Sequence, residues 1–153
     1  MKALLGVILF AAAAYFGIGW YRDHRAFEAY EGFAEAWVHE DRIAAARYGD
    51  AATVKHALEE RAIRGTRGGA AIEALRGDRY EVESRSRTSE GEQRLVVRQT
   101  VHFDPPGVTT GIGGAMYAHF RHTVSVRKTP QGWRVVAFDA QFVDMGEIRR
   151  RAS

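Results

Sequence analysis

No stretch constrains the fold more than the run from Glu92 to Phe103. Leu95, Val97, Val101 and Phe103 share one parity there, and Arg98, Thr100 and His102 share the other. A period of two is what a strand with one buried and one wet face requires. Such a strand needs neighbours, and the adjoining runs supply them. Arg79 to Thr88 places Tyr80 and Val82 inward, with Ser84 and Ser86 on the same parity, and sends Arg79, Glu81, Glu83, Arg85 and Arg87 outward. Ser89-Glu90-Gly91 turns this run into the next. Ala115 to Lys128 alternates again, with Met116, Phe120, Val124 and Val126 on one face and Tyr117, His119, Arg121, Thr123, Ser125 and Arg127 on the other. Pro130-Gln-Gly132 turns into a last run, Trp133 to Val143, where both parities are apolar. Burial on both faces or a bulge would each give that pattern. Four antiparallel strands follow.

The residues upstream read as helices. From His24 to about Tyr48, Phe27, Tyr30, Phe33, Ala34, Trp37, Ala44, Ala45 and Tyr48 recur every three or four positions, the stripe of an amphipathic helix. Gly49-Asp50 supplies a stop and an N-cap, and Ala51 to Ile63 predicts a second helix with Val54, Ala57, Leu58 and Ala62 inward. Glycines at 65, 68 and 69 break it, and Ala70 to Leu75 predicts one more short helix before Gly77-Asp78. Helices first and a meander afterwards predict an α+β layer, two to three helices packed on a curved four-stranded antiparallel sheet.

Ahead of the helices lie 19 uncharged residues, Ala3 to Tyr21, between Lys2 and the group Arg22, Asp23, His24 and Arg25. As a helix they rise about 28 Å, near the thickness of bilayer hydrocarbon. Trp20 and Tyr21 stand where aromatic rings favour the headgroup level. A cleaved signal peptide competes with this reading, through small residues at Ala12 and Ala14 or Gly17 and Gly19. The apolar run continues past the first of those sites with Tyr15, Phe16, Ile18 and Trp20, which favours a retained transmembrane anchor. With no linker before Phe27, anchor and first helix are expected to form one rod. The expected division is an anchor over 1–22, the α+β domain over 23–146 and a basic tail over 147–153. Charges flanking the span are nearly balanced, and the C-terminal domain is placed outside the cytoplasm.

Composition removes several function classes. The chain has 22 basic and 19 acidic residues, a net charge of +3, interspersed except at Arg149, Arg150 and Arg151. A nucleic-acid binder would carry a denser basic stripe with interleaved aromatics, and none is expected. With no cysteine, disulfides and thiolate metal sites are excluded. His39-Glu40 fails as a zinc-binding helix because position 43 is Ile. His119 and His122, three apart on a strand, fall on opposite faces and cannot chelate together. No metal or other cofactor is predicted.

Phe33-Ala-Glu-Ala-Trp37 with Asp41, Ala44 to Tyr48 and Gly49-Asp50 on the helices, followed by strands closing on Gly132-Trp133-Arg-Val-Val136, resembles the nuclear transport factor 2-like (cystatin-like) superfamily over roughly Phe27 to Asp144. With a single N-terminal anchor, it is similar to the bacterial inner-membrane assembly factors of type IV secretion systems and to the membrane-tethered import-motor subunit domain. The resemblance implies an inner-membrane location and contacts with a protein partner or a second copy. Catalytic members of the superfamily instead use the cone between helices and sheet as an apolar pocket with an acid–base pair.

In this chain the pocket candidates are Gln99 and His122, joined by Asp139 if the parity of Trp133 is inward. A buried His and Asp would suit proton transfer. Equally, Gln99 and His122 can bond each other or the main chain within a core. The loop beginning Asp104-Pro105-Pro106-Gly107, stiffened by prolines and followed by glycines, is the candidate interaction loop. The outward arginines, among them Arg85, Arg87, Arg98, Arg121, Arg127 and Arg134, make either a solvated face or a basic patch. The function expected is a non-enzymatic, membrane-anchored interaction or assembly domain of an envelope complex. The alternative is a small-ligand-binding or isomerase-type domain using the cone.

Overall fold

The computed structural model describes residues 2–68, 76–103 and 116–147, the side chains of 2–16, 61–68, 76–78, 103 and 147 excepted. Within these residues the chain is α+β. Three helices, α1 (Lys2–Val38), α2 (Arg42–Tyr48) and α3 (Ala51–Gly68), precede four strands, β1 (Arg76–Arg87), β2 (Gln93–Phe103), β3 (Met116–Thr129) and β4 (Gly132–Glu147). The strands form one antiparallel sheet in the order β1-β2-β3-β4. The expected short helix at 70–75 and the interaction loop at 104–107 lie outside the described residues.

The rod is continuous, since α1 runs 37 residues without a break. Among the described residues no helix is long and apolar enough to cross a membrane. The side chains of 3–16, most of the expected span, lie outside that description.

The single helix expected over His24 to Tyr48 is two. Glu40 takes a left-handed φ of 56°, and the Asp41 carboxylate then caps α2 by accepting from the Ala44 amide at 2.9 Å. A charged residue in that backbone region reverses the chain, so the apolar period continues across a break that periodicity alone does not register. α2 ends at Gly49, where a Cβ would sit 2.5 Å from a ring carbon of Phe33. Only glycine permits that approach. Gly49 also bridges Val135 on β4, and the Asp50 amide donates to the Val135 carbonyl at 3.2 Å. Asp50 caps α3 through the Thr53 amide at 2.7 Å, and α3 continues through Gly65, past its expected end at Ile63.

The inner face of the sheet is read along β2 and β3, whose register is unbroken. Leu95, Val97 and Val101, with Val124 and Val126, are buried under Ala26, Tyr30, Phe33 and Trp37 of α1. Those four helix positions are three or four apart, so they fall in one stripe.

The outer strands each carry two register shifts. A shift between Val82 and Ser84 reverses the parity of β1. Ser84 and Ser86, expected inward, are exposed and pair with the outward Val96 and Arg94, while Arg85 and Arg87, expected outward, pair with the inward Leu95 and Gln93. Their side chains meet α1 accordingly: the Arg85 guanidinium lies 5.7 Å from the centre of the Phe27 ring, and Arg87 pairs with Asp23 at 3.0 Å. One extra residue accounts for all of this, because a bulge moves every later side chain to the other face. The apolar double parity of β4 has the same cause. A shift at Ser125/Val126 hands the core from Val135 to Phe138 and Ala140.

Candidate functional site

Beneath α1, the polar inward positions of β2 and β3 come together. Gln99 and His122 are both fully buried. They are diagonal neighbours, since Val97 faces His122 and Gln99 faces Phe120. They do not bond each other; each is bonded to a tyrosine. The Tyr30 hydroxyl and His122 Nδ1 share a hydrogen bond of 2.8 Å, and Gln99 Nε2 donates to the Tyr80 hydroxyl at 3.2 Å. Tyr80 in turn donates to the Glu35 carboxylate at 3.1 Å, and its ring meets that of Tyr30 edge-on at 5.7 Å. Trp37 and Phe138 close over the imidazole with ring centres 5.3 and 4.9 Å away.

Burial sets the electrostatics. It lowers the His122 pKa to about 3, so the imidazole is neutral at physiological pH. Burial, then the neighbouring Tyr80 and Glu31, pushes the Tyr30 hydroxyl above its ordinary value. Tyr80 is raised by burial and then by the Glu35 carboxylate. Neither phenol serves as a base. A neutral Nδ1 that accepts from Tyr30 leaves Nε2 as the protonated nitrogen. His122 Nε2 and Gln99 Oε1 have no hydrogen-bond partner among the described residues.

Asp139 does not join this pair. It lies opposite Thr123 on the outer face, half-buried, and accepts from Gln141 Nε2 at 3.2 Å. The bulge in β4 is the reason, because inward parity passes from Val135 to Phe138. The proton-transfer pair expected from parity is therefore split across the sheet. Sequence reasoning missed Tyr30, Tyr80 and Glu35. Tyr30 and Tyr80 stand on inward positions as apolar residues, and Glu35 falls between the apolar positions of the helical stripe.

Two of the surface grooves stand near this cluster, and Glu35 and Tyr80 belong to both the cluster and the first of them. One of about 680 Å³ runs between α1, α2 and β1, lined by Glu28, Glu31, Glu35, Tyr48 and Tyr80. The other, about 600 Å³, lies between α3 and the outer face, with Arg94, His56 and Asp139 on its walls. Neither is lined by Gln99 or His122. The outer-face arginines are largely paired: Arg98 and Arg121 both reach Glu83, at 3.1 and 2.8 Å, Arg127 pairs with Glu92, and Arg134 donates to the Ala46 carbonyl at 2.8 Å. His119 pairs with Asp144 at 2.6 Å, on the face opposite His122. Among the described residues no group of three or more His, Cys, Asp or Glu side chains is placed to hold a metal ion.

Chemically, the buried cluster ties α1 to the sheet. Tyr30→Phe leaves His122 Nδ1 without a partner, and stability is expected to fall by about 1–3 kcal/mol. Tyr30→Phe with His122→Leu removes both polar ends and is expected to recover most of that loss. A urea denaturation cycle of the wild type, these two variants and His122→Leu alone measures it.

Comparison with protein-family models, with curated proteins and with solved structures finds no match.

Proposed function

We propose that this chain is a single-pass, membrane-anchored protein-association domain of a bacterial envelope complex. Its α+β domain lies outside the cytoplasm and does no chemistry of its own. The observation that carries the proposal is the way α1 leaves the domain. The helix continues unbroken from the core residue Tyr30 to Lys2, and where it clears the sheet its apolar side chains stand in the open: Ile18, Trp20 and Tyr21 are 60, 69 and 58% exposed. A Cβ at Gly17 or Gly19 would meet nothing within 4 Å. Exposed apolar side chains continuous with the uncharged run from Ala3 need a cover, and a bilayer of matching thickness provides one.

Association is supported at the far end of the sheet. Phe142, Val143 and Met145 of the edge strand β4 are about half exposed, beyond the stretch that Gly49 and Asp50 cover at Val135. The cone-pocket alternative has the two unpartnered atoms of Gln99 and His122 in its favour. Against it, aromatic rings of Tyr30, Trp37 and Phe138 pack directly on the imidazole.

The test is fractionation of the full-length protein, followed by amine crosslinking in intact membranes. An intact chain that resists carbonate extraction and crosslinks into a larger species is the expected result. A shortened, freely soluble chain, or a monomer alone, would overturn the anchor or the association respectively.

A further inference from the structure

The end of the sheet beside the base of α1 brings the two hairpin turns and several charged side chains together. Arg87 and Gln93 flank the β1–β2 turn, and both meet Asp23 of α1, at 3.0 and 2.8 Å. Asp23 lies two residues from Tyr21, about 3 Å along the helix axis. The turn at 88–92 therefore stands within about one helical turn of the exposed Trp20 and Tyr21. The β3–β4 turn is at the same end. Val126 pairs with Gln93, and Lys128 follows two residues further toward the tip.

At this end Arg22, Arg94 and Lys128 have no ion-pair partner among the described residues, and Arg94 and Lys128 are exposed. Further along the sheet Arg98 and Arg121 are held by Glu83, while Arg79 at the far end of β1 has no ion pair among the described residues. Three cations without an ion pair thus stand at the end from which the helix departs, alongside the exposed Glu90 of the turn.

We propose that this hairpin end is a membrane-facing surface whose Arg22, Arg94 and Lys128 bind the phosphates of anionic lipid headgroups. The proposal rests on the anchor reading and adds to it a defined orientation. A helix anchored through Tyr21 brings both turns to the headgroup level, where unpaired cations exchange water for phosphate. Basic residues near an anionic leaflet gain free energy that falls off within a Debye length, so the contact weakens with salt. Trp20, stacked on His24 at 5.3 Å with rings nearly parallel, stiffens the base of the helix above that surface.

The chain has no cysteine, so a single introduced thiol reports one place. Full-length Ser89→Cys, labelled with an environment-sensitive fluorophore, is reconstituted into phosphatidylcholine vesicles with or without phosphatidylglycerol, with a headgroup-attached quencher. The ratio of surface-bound to free orientations that the quenching reads is expected to be about fivefold higher per engaged basic residue in the anionic vesicles. It is also expected to fall in high salt and to fall in the Arg94→Glu/Lys128→Glu variant, whose folding is checked by circular dichroism. Equal quenching in both lipids, or quenching indifferent to the charge reversals, overturns the headgroup surface while leaving the anchor standing. Flotation with neither vesicle overturns the anchor, and flotation with anionic vesicles alone supports headgroup binding without it.

Discussion

Phe33→Ala is expected to lower the unfolding free energy by about 3–5 kcal/mol, enough to unfold a domain of this size or leave it marginal. Phe33 is 1% exposed and joins three elements at once. Its ring meets Phe138 of β4 at 5.1 Å, and its edge occupies the space that Gly49 vacates between α2 and α3. Removing the ring opens a cavity at the one place where α1, the α2–α3 junction and β4 meet. Because Gly49 holds a backbone bridge to Val135, the surroundings cannot collapse without breaking it. Chemical denaturation of the wild type and the variant reads the difference. A loss under 1 kcal/mol would show that the junction relaxes around the cavity.

Acid is expected to destabilise the folded protein well above the range where carboxylates titrate. An unfolded histidine takes up its proton near pH 6.5, whereas His122 in the folded chain stays neutral down to about 3. Between those values the unfolded chain binds more protons, so stability rises with pH there and is lost as pH falls through 6.5. From pH 7 to pH 5 the loss is about 2 kcal/mol. The His122→Leu/Tyr30→Phe protein lacks the titrating group, and its stability is expected to be nearly flat over that range. Melting temperatures at pH 7, 6 and 5 for the two proteins decide the matter. Parallel pH profiles would place the acid sensitivity outside His122.

The two effects show how strongly the domain depends on α1. Tyr30 and Phe33 both lie on the stripe that the helix presents to the sheet, and the same helix carries the exposed Ile18 and Trp20 away from it.

Local chemistry was legible in the amino-acid order wherever one residue pair determines the outcome. Alternation at Leu95, Val97 and Val101 located β2 and its buried face, and the three- and four-residue spacing of Tyr30, Phe33 and Trp37 identified the face of α1. Gly49-Asp50 marked a helix boundary that the structure keeps. The inward placement of Gln99 and His122 was readable from the same parities. Tertiary structure alone decided what a single inserted residue does. The shift at Val82/Ser84 is invisible to a period-two pattern, because each half of the strand still alternates, and the one at Ser125/Val126 shows only as two apolar parities that burial on both faces would also give. They carry Arg85 and Arg87 beneath α1 and send Asp139 to the outer face. Likewise, no local signal joins Tyr30 to His122 across 92 positions, or Tyr80 to Glu35 across 45. Such bonds exist because burial leaves a polar group no water to bond, and only the packed sheet and helix determine which other polar group is within reach.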